Sequence, residues 1–262
     1  MSGVPAGARL ARVVLAIGAS AAMGAACSPP ARNTPPPAVL LAARSHYPAH
    51  WWTPVPREGA PDWEILPQDA APGEVIVSKR HELGLLSNFA ATPFDFHGTR
   101  YASVEGFWQM MLYPDGPDDP RAVVPGVKWV YTREQVAQMT AFEAKHAGEL
   151  AEQNMARMGI TWVSFGGGRF EYRPERPGRH YALIAAAMWE KVRQNPDVRR
   201  VLLATGDLVL KPDHHEEAGA RAAWRYCDIL MQIRREWRPE DGGTSLLPDV
   251  NLFTFSAAKG RR

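Results

Sequence analysis

The hydrophobic and polar positions of residues 94–109 first follow the two-residue period of a strand and then the period of a helix. Apolar and polar side chains alternate through 94–96. His97 and Gly98 follow, and glycine can adopt a positive φ without steric cost. Ser103 then offers a hydroxyl as the N-cap of a helix. We therefore predict a small hairpin around His97-Gly98 and a helix that begins directly after Ser103.

This predicted helix carries one carboxylate among aromatic and amide side chains. Glu105, Trp108, Gln109 and Leu112 recur at i, i+3, i+4 and i+7, which places them on one stripe. One hypothesis is that the stripe forms the wall of a ligand site. The alternative is structural, because a first-turn Glu105 complements the helix dipole and aromatic side chains commonly belong to the core. The pattern alone leaves both open.

Helical spacing and short β-branched runs predict the remaining elements. The predicted strands are 74–77 and 207–210, a glycine turn joins 162–165 to 169–172 as a hairpin, and the predicted helices are 132–158, 181–195, 198–204 and 221–237. The side chains expected on buried helix faces are Val136, Met139, Phe142, Leu150, Tyr181, Ile184, Met188, Val192, Tyr226, Leu230, Ile233 and Trp237. We therefore predict the α+β class, as a mainly helical single domain with short strands and hairpins.

The proline and charge distribution divides the chain into four parts. We predict a signal segment at 1–27, a Pro-rich tether and irregular arm at 28–73, a folded domain at 74–238 and a loose C-terminal tail at 239–262. The arm carries Trp51, Trp52 and Trp63, and we expect these indoles to pack on the domain. Within the domain, the prolines and aspartates of 114–125 predict a solvated turn region.

The first residues have the pattern of a targeting segment. Arg9 and Arg12 precede a short apolar run at 13–24, and Ala25-Ala26 stand before Cys27. This ending resembles a bacterial lipoprotein box with a lipidated Cys27, although a glycine stands where such boxes usually have leucine. An ordinary secretory signal and an unprocessed N-terminus are the alternatives. We expect the bacterial cell envelope as the location, with the chain lipid-anchored or secreted, and a membrane contact through the lipid anchor at most.

Composition and charge narrow the function classes. Of the 262 residues 45% are hydrophobic, and nine are Trp, which is ample for a packed core. The net charge of +2 does not indicate a nucleic-acid partner. Gly166–Gly168 lack the lysine and spacing of a phosphate loop, and the consecutive residues His214–Glu217 cannot all converge on one metal ion. No cofactor and no metal are therefore expected.

Two blocks of sequence resemble the NADAR family, which is typified by an N-glycosidase that breaks down early riboflavin-pathway intermediates. The first block comprises LSNFAATPF (86–94), the G-x-x-Y-x-S-V-E step (98–105) and the Glu105/Gln109 pair. The second block is WEKVRQNPDVRRVLLATGD (189–207), and Trp224 stands at the family's late tryptophan. The resemblance covers about residues 74–237.

The resemblance implies a hydrolase that cleaves an N-glycosidic bond in a ribosylated base or nucleotide. Its partner would be that small molecule. Glu105 would be the catalytic carboxylate. The residues implied in substrate binding are Asn88, Trp108, Gln109, Lys145 and Trp224. For Lys145 an exposed surface lysine is the alternative.

The chain departs from the family pattern at four positions. Met111 and Leu112 replace a glutamine and a lysine, and Arg221 and Arg225 replace the acidic residue and the glycine around the late tryptophan. These departures leave a second hypothesis open, a non-catalytic binding module for ADP-ribose-like or nucleotide ligands. An exported protein would also not meet cytosolic riboflavin intermediates. A third hypothesis is a lipoprotein whose domain serves only protein contacts.

Overall fold

Helices make up most of the regular structure, and the strands are only three or four residues long. The computed structural model describes residues 44–216 and 219–237. The α-helices are α1 (Val104–Met110), α2 (Arg133–Ala137), α3 (Ala141–Met158), α4 (Arg179–Gln194), α5 (Pro196–Ala204) and α6 (Tyr226–Glu236). The strands are β1 (Glu74–Ile76), β2 (Phe94–Phe96), β3 (Thr99–Tyr101), β4 (Trp162–Phe165), β5 (Gly168–Glu171) and β6 (Val209–Lys211). Short 3-10 helices occupy Ala49–Trp52, Pro67–Asp69, Glu82–Leu86 and Ala222–Trp224. The predicted α+β class is confirmed.

The strands form three separate pairs. β1 and β6 run parallel, with Glu74 opposite Val209. β2 and β3 form the predicted hairpin, and its turn residues His97 and Gly98 both have positive φ, at 51° and 76°. β4 and β5 form the second predicted hairpin around a glycine turn. Two of the pairs are thus hairpins that the local sequence already predicts.

Helix α4 provides the centre of the core, as its spacing predicts. Ile184, Met188 and Val192 are all buried, whereas Tyr181 lies half-buried at the margin. Asn195 ends α4, and Pro196 begins α5 at its first position, where a missing N–H costs nothing. The core prediction is confirmed for three of these four side chains.

The helix predicted from 132 to 158 is instead two helices, α2 and α3. Its sequence contains no proline or glycine in the break, so the cause is tertiary. Ser103 Oγ donates to the Met139 carbonyl (2.8 Å), and the Ala102 amide donates to the Ala137 carbonyl (3.1 Å). Gly106 of α1 packs directly on these carbonyls, where a Cβ would lie 2.5 Å from the Met139 oxygen. Helix α2 therefore ends at Ala137, and the carbonyls of Ala137 and Met139 contact the start of α1 and the residue before its cap.

The segment 114–125 is also different from its prediction as a wholly solvated turn. Asp119 and Arg121 are buried and paired at 2.7 Å. Arg121 Nη1 also donates to the carbonyls of Met111 and Leu112, at 3.1 and 3.0 Å, just beyond α1. The guanidinium thus supplies donors to two carbonyls beyond the end of the helix, and the Met111 carbonyl also accepts from the Ser164 amide (3.2 Å). The buried Asp119–Arg121 pair thus anchors the segment in the core, and Asp115 forms a second ion pair with Arg133 (3.3 Å).

The arm before β1 packs through two of its three indoles. Trp51 and Trp52 are buried, and their ring nitrogens donate to Glu82 and to the Glu74 carbonyl, at 2.7 and 3.0 Å. Trp63 is instead 44% exposed.

The last predicted helix (221–237) is also interrupted. Residues 222–224 form a 3-10 turn before α6, and Trp237 is only half-buried. Cys27, the signal segment, the Pro-rich tether and the C-terminal tail lie outside the described residues. Within residues 44–216 and 219–237, no helix is long and apolar enough to cross a membrane.

Candidate functional site

One cleft of about 720 Å³ brings the predicted site residues of the domain together. Six of them line it: Asn88, Glu105, Trp108, Gln109, Lys145 and Trp224. They come from two α-helices, one 3-10 helix and one loop, and they span 136 positions of the chain, from 88 to 224. A cleft of this volume lies in the usual range for small-molecule sites. The seventh predicted residue, Cys27, lies outside the described part of the chain.

Glu105 lies in the first turn of α1, directly after the predicted cap. The Gly106 amide donates to Ser103 Oγ (2.9 Å), which fixes the start of the helix. The Glu105 amide donates to the Asn88 carbonyl (3.0 Å), so that the loop before β2 is attached to α1. Gln109 Nε2 donates to Glu105 Oε1 at 2.8 Å, one turn along the predicted stripe. The local sequence thus fixes both the backbone and the carboxylate of Glu105.

Burial gives this carboxylate unusual acid–base behaviour. Glu105 is only 8% exposed, and burial raises its pKa from the usual 4.5 to about 6. The hydrogen bond from Gln109 and the charges of Lys145, His214 and Lys79 oppose this shift without cancelling it. A carboxyl group with a pKa near 6 is ionised at neutral pH and can still accept a proton.

Two amide oxygens beside Glu105 have no donor. Gln109 Oε1 and Asn88 Oδ1 are both buried, and no hydrogen-bond partner for either is found in the described residues. The orientation of the Gln109 amide follows from its Nε2, which already donates to Glu105. Gly148 of α3 makes room for it, because a Cβ there would overlap the amide oxygen. Buried acceptors without donors are uncommon in folded proteins, and both of these residues line the cleft.

An aromatic wall lies on one side of the cleft. Trp108 and Trp224 meet edge to face, with ring centroids 4.8 Å apart. Trp108 Nε1 donates to Tyr172 Oη (3.1 Å), and Tyr172 Oη donates to Glu152 Oε1 (3.0 Å). Arg173 pairs with the same carboxylate at 2.8 Å and lies over the Trp224 ring. The wall therefore ends in a fixed carboxylate–guanidinium pair.

The sequence predictions missed Tyr172, Glu152 and Arg173 as members of this site. A signal for Glu152 was present, because Lys145, Glu149 and Glu152 follow one another at helical spacing on α3. No comparable local signal exists for Tyr172. It reaches the cleft because the β4–β5 hairpin folds back onto α1.

The opposite rim combines a cation with exposed aromatic rings. Lys79 Nζ contacts both carboxylate oxygens of Asp213, at 2.7 and 2.5 Å, and lies 5.2 Å from the centre of the Phe89 ring. Phe142 packs edge-on against Phe89 and Trp63, with centroids 5.3 and 6.1 Å away. Phe142 is 57% exposed, so its predicted burial is wrong. Its ring lines the cleft because Phe142 does not lie on the buried face of α3, which runs through Ala144, Ala147, Ala151 and Met155.

Lys145 lies at the cleft but is a half-exposed side chain, and it pairs with Glu149 one turn along α3 (2.5 Å). Its ammonium therefore contributes positive charge near Glu105 without a direct hydrogen bond to it.

As for metal ions, no group of three or more His, Cys, Asp or Glu side chains converges on one point in the described ranges. His214 instead contacts Asp213 and stacks on Tyr226.

The positions that depart from the family pattern are not in the cleft. Met111 and Leu112 are fully buried in the core. Arg225 pairs with Asp228 at 3.2 Å at the start of α6. The cleft therefore contains neither a second glutamine nor a lysine from the end of α1.

Comparisons with known proteins add little to this picture. No protein-family model matches the chain. No curated protein sequence matches it. Among solved structures, the NMR structure of the E. coli protein YbiA is similar with a TM-score of 0.39 and 18% identity, over 62% of this chain and 83% of that chain. At this distance the similarity establishes neither a shared fold nor a shared activity.

The arrangement as a whole has a definite chemical capacity. A poised carboxylate lies in a cleft that also contains an aromatic wall and several cations, and two of the residues that line it carry buried amide oxygens for which the described residues supply no donor. Such a set can hold a planar ring, accept hydrogen bonds from hydroxyl groups and stabilise a developing positive charge.

Proposed function

We propose that the chain is a hydrolase that cleaves the N-glycosidic bond of a ribosylated base or nucleotide derivative. The observation that carries the proposal is the buried Glu105 carboxylate in a cleft that Asn88 and Gln109 also line, each with an amide oxygen that has no donor in the described residues. Vicinal hydroxyl groups of a ribose supply the donors that these acceptors lack. The sequence resemblance to the NADAR family supports the same reaction class.

The reaction needs a negative group close to the anomeric carbon. When the C1–N bond breaks, its electron pair goes to the base nitrogen and C1 gains oxocarbenium character. An ionised Glu105 stabilises this charge and accepts a proton from the water whose oxygen bonds to C1. That proton is then available to the departing base. The aromatic wall formed by Trp108 and Trp224 offers a surface for the base.

A direct assay tests the proposal. The purified chain is incubated with a ribosylamino-pyrimidine phosphate and with an ADP-ribosylated base, and the released base is measured by chromatography with mass detection. We expect release of the base from at least one of these compounds. If both bind and neither is cleaved at high protein concentration, the hydrolase proposal fails.

A non-catalytic binding module for ADP-ribose-like or nucleotide ligands is the second candidate. Met111 and Leu112 favour it, because the family's polar residues at these positions are replaced by core side chains. Binding without turnover would raise the melting temperature, since a ligand that binds only the folded state stabilises it. A chain that serves only protein contacts would show neither turnover nor a shift with any of these ligands.

A further inference from the structure

Lys191 of α4 carries a buried amine that the chemistry above does not use. Its side chain is among the largest fully buried ones, at 1% exposure, and its Nζ donates to the Ser87 carbonyl at 2.6 Å. No carboxylate in residues 44–216 or 219–237 forms an ion pair with it. Burial lowers the pKa of Lys191 to about 7. An apolar side chain at this core position would avoid the cost of desolvating an ammonium group.

The atom that Lys191 contacts belongs to the loop that supplies Asn88. The Ala90 amide also donates to the Ser87 carbonyl (3.1 Å), which closes a turn over Ser87–Ala90. Asn88 and Phe89 are the two central residues of this turn. Asn88 and Phe89 both line the cleft.

Each of three consecutive carbonyls of this turn is held by a different helix. The Ser87 carbonyl accepts from Lys191 on α4, and the Asn88 carbonyl accepts from the Glu105 amide on α1. The Phe89 carbonyl accepts from the Ala141 amide at the start of α3 (3.1 Å). Among these three attachments, only that of Lys191 comes from a side chain. It is therefore the attachment that a substitution can remove without changing the backbone.

We propose that Lys191 is a positioning residue that holds the Ser87–Ala90 turn against α4, so that Asn88 keeps its place in the lining of the cleft and presents its carbonyl to the Glu105 amide. The attachment itself is independent of any activity. Its consequence for turnover rests on the proposed hydrolase function.

The test uses Lys191→Met, which keeps the length and apolar stem of the side chain and removes its donors. Amide hydrogen exchange at Ala90, Glu105 and Ala141 is compared with that of the wild type, because these amides bond to the turn. We expect exchange at these amides to become about tenfold faster or more, the scale of losing one hydrogen bond to a charged group. Amides of α6 should be unaffected. The free energy of unfolding should stay equal or rise, since an unpaired buried charge is removed.

The matched control is Lys211→Met, which removes a half-exposed lysine from β6 and should leave all of these amides unchanged. Unchanged exchange at Ala90, Glu105 and Ala141 in Lys191→Met would overturn the proposal. So would faster exchange throughout the chain together with lost stability, because Lys191 would then act only in general packing. If Lys191→Met does not fold, Lys191→Gln is measured at the same three amides, with the same two contradicting results.

Turnover provides the second measurement. If the chain is a hydrolase, Lys191→Met should lower kcat about tenfold or more with a smaller change in KM, because a displaced Asn88 and a looser Glu105 helix end affect the transition state most. A kcat equal to that of the wild type, with accelerated exchange, would contradict the link to catalysis. A wild type without any hydrolase activity would contradict the proposed function, and the exchange result would still decide the role of Lys191.

Discussion

Asp119 and Glu105 are two carboxylates with the same exposure, 8%, and opposite acid–base behaviour. Asp119 accepts from the Arg121 guanidinium and from the backbone amides of Asp115 and Arg121, and these partners hold its pKa at about 2. Glu105 accepts from one neutral amide, and burial raises its pKa to about 6. Burial alone therefore does not decide the pKa. Burial raises the pKa of Glu105 against one hydrogen bond, whereas the hydrogen bonds and the charge of Arg121 outweigh the effect of burial on Asp119.

This contrast separates a structural charge from a functional one. The Asp119–Arg121 pair is fully hydrogen-bonded and ties 114–125 to the end of α1. Glu105 is left with free acceptor atoms around it, in a cleft open to a ligand. A folded protein keeps such an under-satisfied carboxylate at a cost in stability, which is typical of functional sites.

The largest effect is expected from breaking the structural pair. Arg121→Met leaves Asp119 buried without its cation and removes the donors to the Met111 and Leu112 carbonyls. We expect a loss of about 3–5 kcal/mol in the free energy of unfolding, the range for removing one partner of a buried ion pair. Urea unfolding measures it. Arg200→Met is the control, since its exposed pair with Asp197 should contribute about 1 kcal/mol or less. Similar losses in the two variants would contradict the structural role of Arg121.

Truncation of an uncharged core side chain shows how much stability packing alone contributes. Met188→Ala removes a buried side chain from α4 and should cost about 2–5 kcal/mol, by the same urea measurement. A loss below about half a kcal/mol would place this helix face in solvent instead.

The third prediction concerns the stability cost of Glu105. Its folded pKa lies above its ordinary value, so the folded state binds the proton more tightly than the unfolded state does. Ionisation therefore reduces stability as the pH rises from about 4.5 to about 6. At pH 8, Glu105→Gln should be more stable than the wild type by about 2 kcal/mol, since one pKa unit corresponds to about 1.36 kcal/mol.

The pH dependence of the stability difference between Glu105→Gln and the wild type provides the control. At pH 4 the Glu105 side chain of the folded wild type is protonated and therefore neutral, like the glutamine that replaces it. The stability of Glu105→Gln should then match that of the wild type. Asp119 should behave in the opposite way, because its folded pKa is lowered. Its contribution is present above about pH 4 and is lost as the pH falls towards 2. A Glu105→Gln variant that is less stable than the wild type at pH 8 would contradict the raised pKa.

Cys227 is a third buried ionisable group, and its expected effect is the smallest. Burial raises the pKa of its thiol, so it stays neutral and costs little stability. We expect a thiol reagent to modify Cys227 only after unfolding, and rapid modification of the native chain would contradict its burial.

We also propose that Cys27 is lipidated. Mass spectrometry of the membrane fraction tests this, and a soluble chain with an intact Met1 would contradict it.

The sequence predicts those parts of the fold that depend on neighbouring residues. The His97-Gly98 turn, the Ser103 cap and the buried face of α4 are confirmed, because turn chemistry, capping and periodicity act within a few positions. The break between α2 and α3 could not be predicted, since it arises from contacts with Ser103 and Gly106, more than thirty residues earlier. Buried Arg121 was also missed, although its partners Asp119, Leu112 and Met111 lie within ten residues of it.

In the candidate site, too, some features follow from the local sequence and others depend on contacts between distant residues. The stripe of Glu105, Trp108 and Gln109 follows from helical spacing, and the cleft contains all three. The Tyr172–Glu152 contact and the Lys191 contact with Ser87 join positions 20 and 104 residues apart. Such pairings depend on how the helices pack, which no local pattern in the sequence reports.

The most direct test of Glu105 as the catalytic carboxylate is the turnover of Glu105→Gln at pH 7 on a compound that the wild type cleaves. The substitution keeps the shape and removes the charge, so kcat should fall about 10²-fold or more, the scale of losing a positioned acid–base or electrostatic group. Glu149→Gln is the matched control, because Glu149 lines the same cleft but is half-exposed and paired with Lys145, and its kcat should stay within a few-fold of the wild type. A folded Glu105→Gln protein with unchanged turnover would contradict the account and leave Glu105 as a residue of the helix end.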